Sequence, residues 1–178
     1  AVLFAGFAVA VATGRAGFVN APISVRALQA RTGKRQFEIV VTGHTTFSPN
    51  WIGVDDGTTN FNSGFKRAGK DDSAGVSLKF NEAGGSSIYF GGSAVQTGLS
   101  APDGFSVITC SFDTVDGTVA FYITTSGVTT QFGSTVTDVS LSSWYANVGF
   151  EEGATSTCKF VAGQTRTLDS GYLPYDDI

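Results

Sequence analysis

Short runs of alternating apolar and polar residues, bounded by Gly, Asp, Asn or Ser, recur along most of this chain. In the run 76–80, for example, Val, Leu and Phe alternate with Ser and Lys. Successive side chains of a β-strand point to opposite faces, so this period of two predicts strands with one buried face. We therefore predict an all-β fold, an antiparallel two-sheet β-sandwich. The predicted strands cover residues 37–41, 51–54, 76–80, 88–90, 108–112, 119–123, 146–150 and 156–160, with a hairpin turn at 113–117.

The composition agrees with an all-β fold. Hydrophobic residues make up 42% of the 178 residues and charged residues 15%, and the chain has 23 Gly and 15 Phe. Glycine favours tight turns, while β-branched and aromatic side chains favour strands. We expect a single domain over residues 1–178, with an N-terminal strand and connection over 1–32 and the sandwich proper over 33–178.

Residues 1–12 are almost wholly apolar. The run is shorter than the roughly 20 residues that a membrane-spanning helix needs, and it lacks the basic residues that open a signal peptide. Its large and small side chains alternate, which predicts a strand. Four of its large side chains are candidate assembly contacts: Leu3, Phe4, Phe7 and Val9. We expect a protein made in the cytoplasm, without a leader and without membrane insertion.

The charge balance argues against two classes of partner. The formal net charge is −4 and the sequence pI is near 4.8. Lys and Arg are scattered, whereas a nucleic-acid-binding protein normally has a basic patch. We therefore expect no nucleic-acid partner, and the same argument disfavours anionic membrane surfaces.

The two cysteines, Cys110 and Cys158, both fall on the apolar phase of predicted strands. A domain of this length does not need a disulfide bond, and two cysteines do not make a disulfide framework. Two buried free thiols are therefore favoured over a disulfide bond, which stays open as the alternative.

The stretch 55–73 is the longest irregular segment, polar and rich in glycine, and long loops in compact domains often carry function. Aromatic residues there could stack on a sugar or dock a partner, and polar ones could supply hydrogen bonds. The candidate ligand-binding residues are Trp51, Asp55, Asp56, Asn60, Phe61, Asn62, Lys66 and Arg67. The acidic residues of this stretch could also gather oxygen ligands for Ca²⁺, although polar turns explain them better. We expect no other cofactor and no metal site.

No group of residues in the sequence predicts catalysis. The single histidine, His44, has no second histidine or cysteine near it in sequence, so a turn exposed to solvent is favoured over a metal or catalytic role. The adjacent pair Glu151 and Glu152 cannot face each other across a sugar from one strand. No nucleophile elbow, phosphate-binding loop or CxxC motif occurs. We expect a protein that is not an enzyme.

The order of strands and turns resembles the SPRY branch of the concanavalin-like jelly rolls, over about residues 33–175. An aromatic–Glu strand at 37–41 precedes an Ile-Gly-Val strand at 52–54, and 105–122 matches the family's most specific stretch. That stretch has a buried strand, an Asp, a tight turn, and a strand that ends in Phe-Tyr. The chain departs from the family after Tyr122, where Ile123–Gly127 replaces an expected Asn-Gly. A SPRY-like jelly roll is the implied fold.

The opening residues 1–7 are similar to the starts of phage structural proteins that carry concanavalin-like folds. This resemblance implies a non-enzymatic virion structural or host-attachment protein, located on a tail, fibre or capsid surface. Its partners would be itself, as a homo-oligomer, or other virion proteins, together with a host surface glycan. The alternatives are a free-standing lectin or carbohydrate-binding module and, less favoured, a jelly-roll glycanase.

Overall fold

The computed structural model describes residues 11–13, 23–27, 29–43, 50–58, 67–71, 74–80, 85–101, 105–150, 155–159 and 166–175. Within these residues the chain is all-β, as predicted, and no helix is long and apolar enough to cross a membrane. The described strands are β1 (Val11–Thr13), β2 (Ile23–Arg26), β3 (Lys34–Gly43), β4 (Asn50–Asp55), β5 (Gly75–Phe80), β6 (Ser86–Phe90), β7 (Ser93–Leu99), β8 (Phe105–Asp113), β9 (Thr118–Thr125), β10 (Val128–Gln131), β11 (Tyr145–Phe150), β12 (Thr155–Lys159) and β13 (Leu173–Pro174).

The strands form two sheets. Sheet A has the order β1-β12-β3-β8-β9-β10, and sheet B has the order β2-β11-β4-β5-β6-β7. Every pairing is antiparallel except that of β13, which runs parallel to β3. Strand β13 pairs with residues 35–36 of β3, whereas β12 pairs with residues 38–43. Two C-terminal segments therefore share one edge of β3.

The hydrophobic core contains the alternate residues that the sequence pattern predicted to face inwards. Phe37 of β3, Phe112 of β8 and Phe121 of β9 are all fully buried in sheet A. Leu78 and the other apolar residues of β5 are buried in sheet B and belong to the same core cluster. Burying each such side chain contributes about 1.5–3 kcal/mol to the free energy of folding. The alternation that predicts the strands therefore also accounts for the packing of the core.

The turn at 113–117 confirms the predicted hairpin between β8 and β9. The Asp113 carboxylate accepts hydrogen bonds from the backbone N–H of Val115 (2.9 Å) and of Asp116 (3.4 Å). Burial alone would raise the pKa of Asp113, but these two bonds and the nearby Lys34 hold its pKa below the usual value. Gly117 has a φ of +62°, the left-handed conformation that glycine adopts without strain.

Cys110 is a free cysteine, as expected, and it is fully buried beside Phe37 in the register of sheet A. Strand β12, which contains Cys158, lies on the other side of β3 from β8. Two strand spacings of about 4.8 Å separate the two cysteine backbones, more than the roughly 7 Å that a disulfide bond can span. The register therefore excludes a bond between them.

Three edge strands, β2, β7 and β10, were not predicted from the sequence. The seven residues of β7 are mostly exposed, and so are the four residues of β10. Ser126 and Gly127 both have positive φ, +49° and +79°, which is the pattern of a two-residue type I′ hairpin turn. The residues that replace the expected Asn-Gly after Tyr122 therefore lengthen β9 to Thr125 and add β10 behind a turn.

Candidate functional site

The outer face of sheet A, turned away from sheet B, has polar side chains that are nevertheless buried. Gln36, Glu38 and Thr109 are 0% exposed and Ser111 is 1% exposed. They alternate along β3 and β8 with core residues such as Phe37, so they must point outwards. Side chains on an outer face can be this buried only where another segment covers them, and such a segment can also supply hydrogen-bond partners.

Residues 166–172, which we call the C-terminal cover, lie over this face. The backbone N–H of Arg166 donates to Glu38 Oε2 at 3.2 Å, and the backbone N–H of Asp169 donates to Gln36 Oε1 at 3.3 Å. Ser111 Oγ also donates to Gln36 Oε1, at 3.2 Å. The buried polar residues of sheet A thus hold an irregular segment in a defined place.

Arg166 is the central side chain of the cover. Its guanidinium carbon lies 4.1 Å from the centroid of the Tyr122 ring, close enough for a cation–π interaction. Its Nη2 donates to Asp169 Oδ1 at 2.5 Å, and the two side chains are 7% and 32% exposed. Burial and the Asp169 charge raise the pKa of Tyr122, while Arg166 acts in the opposite direction. The guanidinium is therefore fixed between an aromatic face and a carboxylate.

A groove of about 560 Å³ runs between the cover and the β9–β10 hairpin. Its lining is formed by Ser106, Thr124, Gly127, Thr129, Arg166, Thr167, Leu168, Asp169 and Ser170. The volume is in the range of roughly 300–1,000 Å³ that small-molecule sites occupy. The groove is the candidate functional site.

Hydroxyl groups dominate the chemistry of the groove. The side chains of Thr124 and Thr129 share a hydrogen bond at 2.8 Å, and Ser106 Oγ donates to the backbone carbonyl of Thr124 at 3.3 Å. A hydroxyl both donates and accepts, so such a wall can pair with ligand hydroxyl or amide groups in several orientations. The Arg166–Asp169 pair adds a strong donor and a strong acceptor at one end.

Two of the sequence-predicted ligand residues, Trp51 and Arg67, meet on the outer face of sheet B. The guanidinium of Arg67 and the ammonium of Lys70 each lie 5.3 Å from the Trp51 ring centroid. Arg67 also makes hydrogen bonds to both oxygens of Asp71, at 2.7 and 2.9 Å. Trp51 is only 1% exposed, so these contacts cover its ring rather than leave it open to a ligand.

Asp55, another predicted ligand residue, is fully buried at the end of β4. Its Oδ1 accepts from the backbone N–H of Gly57 at 2.7 Å, and its Oδ2 accepts from Asn147 Nδ2 at 3.1 Å. Arg26 Nη1 lies 3.5 Å from Oδ1. In this arrangement the carboxylate ties β4 to β2 and β11, and its oxygens are used within the protein.

Asp56 is partly exposed, and its Oδ1 accepts from the N–H and the hydroxyl of Thr58 at 2.9 and 2.6 Å. The predicted residues Asn60, Phe61, Asn62, Lys66, Leu3, Phe4, Phe7 and Val9, and also His44, lie outside the described residues. Within the described part of the chain, no group of three or more His, Cys, Asp or Glu could hold a metal ion. Calcium binding by the 55–73 stretch stays a prediction.

The sequence matches no family model and none of the curated proteins compared with it. Solved structures do share its fold. The crystal structure of the TRIM65 PSpry domain has a TM-score of 0.59 at 19% identity, over 76% of this chain and 70% of that chain. A stonustoxin structure has a TM-score of 0.55 at 17% identity, over 76% of this chain and 21% of that chain. These similarities confirm a SPRY-like β-sandwich.

Sequence reasoning did not identify the groove residues. Arg166 and Asp169 lie in a segment without strand or helix periodicity, so nothing local indicates which face they cover. Thr124 and Thr129 belong to a hairpin whose second strand was not predicted. The usable signal was the Ser126–Gly127 dipeptide between Thr-rich runs, which indicates a hairpin turn. In the structure this hairpin borders the groove.

Proposed function

We propose that this protein is a non-enzymatic binding module that holds a neutral, hydroxyl-rich ligand of the glycan class in the groove beside the C-terminal cover. The hydroxyl lining is the observation that carries the proposal. Thr124, Thr129, Thr167 and Ser170 present short, uncharged polar groups, and the Arg166–Asp169 pair can bind vicinal hydroxyls. The groove volume of about 560 Å³ suits one or two sugar rings.

Binding is favoured over hydrolysis by the carboxyl groups at the site. A typical glycosidase places two carboxyl groups on either side of the scissile bond, about 5–10 Å apart. Among the described residues that line the groove, Asp169 alone supplies a carboxylate, and it is already paired with Arg166. A ligand in this groove would be held and released unchanged.

The wider role that we propose is a structural or host-attachment protein of a phage virion, with a host surface glycan as its ligand. The similarity of residues 1–7 to phage structural proteins supports this role, as does the Gly-, Thr- and Ser-rich sandwich. Many copies on one particle would turn a weak individual site into strong attachment, because linked sites raise the effective concentration of each other. A free-standing lectin would use the same groove singly.

Glycan binding can be tested with a matched pair of substitutions. Thr167→Trp places a bulky side chain at an exposed position in the groove, and Thr135→Trp places it at an exposed position outside the lining. Both variants and the wild type are applied to a glycan array, and the strongest glycan is then titrated by calorimetry. We expect Thr167→Trp to weaken binding at least tenfold and Thr135→Trp to leave it unchanged.

Two results would contradict the proposal. Wild-type protein that binds no glycan on the array would remove the glycan class. Equal affinities for Thr167→Trp and wild type would place the ligand elsewhere on the molecule, with the predicted 55–73 stretch next to be tested.

A further inference from the structure

Two long stretches without charged residues meet at one side of the sandwich. The hairpins β6–β7 and β9–β10 end sheets B and A there, and Gln96 joins them through hydrogen bonds with the backbone of Ser134, at 2.9 and 2.7 Å. No Asp, Glu, Lys or Arg occurs in residues 85–101 or 117–137. Because 15% of the whole chain is charged, two such long stretches meeting at one side form an unusual surface.

Strand β10 leaves an open, regular edge on this side. The two-residue turn makes Thr125 and Val128 a hydrogen-bonded pair, and antiparallel pairs alternate in type along the ladder. The backbone N–H and C=O groups of Thr129 and Gln131 therefore point away from β9. No described strand pairs with that side of β10.

Natural sheet edges are usually protected by charged residues, proline or a bulge. Strand β10 contains none of these, and its register with β9 is unbroken. The edge of sheet B at β7, on the same side of the sandwich, differs, because its pairing with β6 shifts register between Ser86 and Ile88 and again between Ile88 and Tyr89. Of the two edges, β10 is the one suited to pairing with another strand.

We propose that β10 pairs antiparallel with β10 of a second copy of this chain, about a twofold axis. Each copy has a net charge of −4, so two copies repel unless the contact itself is free of like charges. An isologous contact apposes the same surface of both copies, and strand β10 itself carries no charge to repel. The proposal does not rest on the glycan groove, because it concerns the backbone edge of β10, although the Thr129 side chain also lines that groove.

The directions of the backbone groups define the register. The two N–H and two C=O groups that point outwards are all hydrogen-bonded when Thr129 pairs with Gln131 of the partner subunit and Gln131 with the partner's Thr129. The axis then passes beside Thr130, which faces its own equivalent, and Thr–Thr pairs are favourable across antiparallel strands. Val128, which is 65% exposed in the single chain, would gain cover at the end of the ladder.

The test is sedimentation velocity of the full chain from micromolar to millimolar concentration. Wild type is expected to show a concentration-dependent rise from 18.5 kDa towards twice that mass. Thr130→Lys sets two lysines opposite each other at the axis, with Cβ atoms roughly 5 Å apart, and their like charges should weaken the dimer at least tenfold. Thr130→Glu should do the same alone, and an equal mixture of the two variants should restore the dimer.

Val95→Lys is the matched control, since Val95 is an exposed valine (49%) on the other edge strand, β7. It should dimerise like wild type. Wild type that remains at the monomer mass at every concentration would overturn the proposal. So would a dimer that Thr130→Lys leaves intact, or one that is lost in Val95→Lys instead.

Discussion

Replacing Arg166 with Met tests whether the contacts of this side chain hold the C-terminal cover on sheet A. Methionine keeps most of the buried stem but removes the guanidinium. The cation–π contact with Tyr122, the bond to Asp169 and a long hydrogen bond to Gln36 Oε1 (3.5 Å) are lost. The hydrogen bond from the residue 166 backbone to Glu38 is kept, because its donor is the main chain. The substitution therefore isolates the charged head.

The expected loss can be worked out contact by contact. A cation–π contact of a guanidinium that is only 7% exposed contributes about 1–2 kcal/mol. The pair with Asp169 contributes about 0.5–1 kcal/mol, because that partner is 32% exposed and remains hydrated. The free energy of unfolding should fall by about 1.5–3 kcal/mol. For a chain of this length each kcal/mol is worth about 2–4 °C, so Tm should fall by about 3–12 °C.

Thermal and urea unfolding, followed by circular dichroism, would measure this change. A double-mutant cycle with Tyr122→Leu adds a direct reading of the cation–π contact, and we expect a coupling of about 1 kcal/mol between the two positions. Arg166→Lys should be intermediate, because it keeps the charge but not the planar group that stacks on a ring. An Arg166→Met protein that melts with the wild type, or a coupling of zero, would refute the reasoning.

Two further predictions concern the hairpin at 113–117. Gly117→Ala should cost about 2–3 kcal/mol in urea unfolding, because φ is +62° and the new Cβ would lie 2.8 Å from the carbonyl oxygen of Val139. Gly91→Ala is the control, with a φ of +61° and nothing within 4 Å of the new Cβ, so it should cost only about 1 kcal/mol, and equal losses would contradict the contact argument. For Asp113, the depressed pKa means that the folded state favours the carboxylate, so its contribution is present at neutral pH and is lost as the pH falls below about 4. Urea midpoints over a pH series should therefore drop in acid more steeply for wild type than for Asp113→Asn, and parallel curves would exclude this role.

The sequence pattern predicted the inner part of the fold well. Apolar and polar residues must alternate along a strand that has one face in the core. They do so in the strands that contain Phe37, Leu78 and Phe121. Strands β7 and β10 escaped prediction because their side chains are mostly exposed on both faces, which leaves no alternation to detect. Edge strands of this kind are specified by turns and by their neighbours rather than by burial.

The candidate site was much less predictable than the fold. Trp51 and Arg67 were expected in one site and do lie together, but the contact buries the indole ring. The groove forms where a hairpin around Gly127 meets an irregular segment that is distant in sequence, and Arg166 comes from that segment. The contact between these two segments depends on tertiary packing, which neither residue periodicity nor a local motif predicts.

The sharing of one edge of β3 by two C-terminal strands has a consequence for synthesis on the ribosome. Strand β3 ends at Gly43. Its partners on the shared edge, β12 and β13, end only at Lys159 and Pro174. The fully buried Tyr175, which donates to the carbonyl of Gln29 at 2.5 Å, is likewise synthesised long after its partner. Sheet A therefore cannot close until residues 155–175 have left the exit tunnel, long after β3 has emerged. Folding of this sandwich should therefore be slow, as expected where distant pairings dominate.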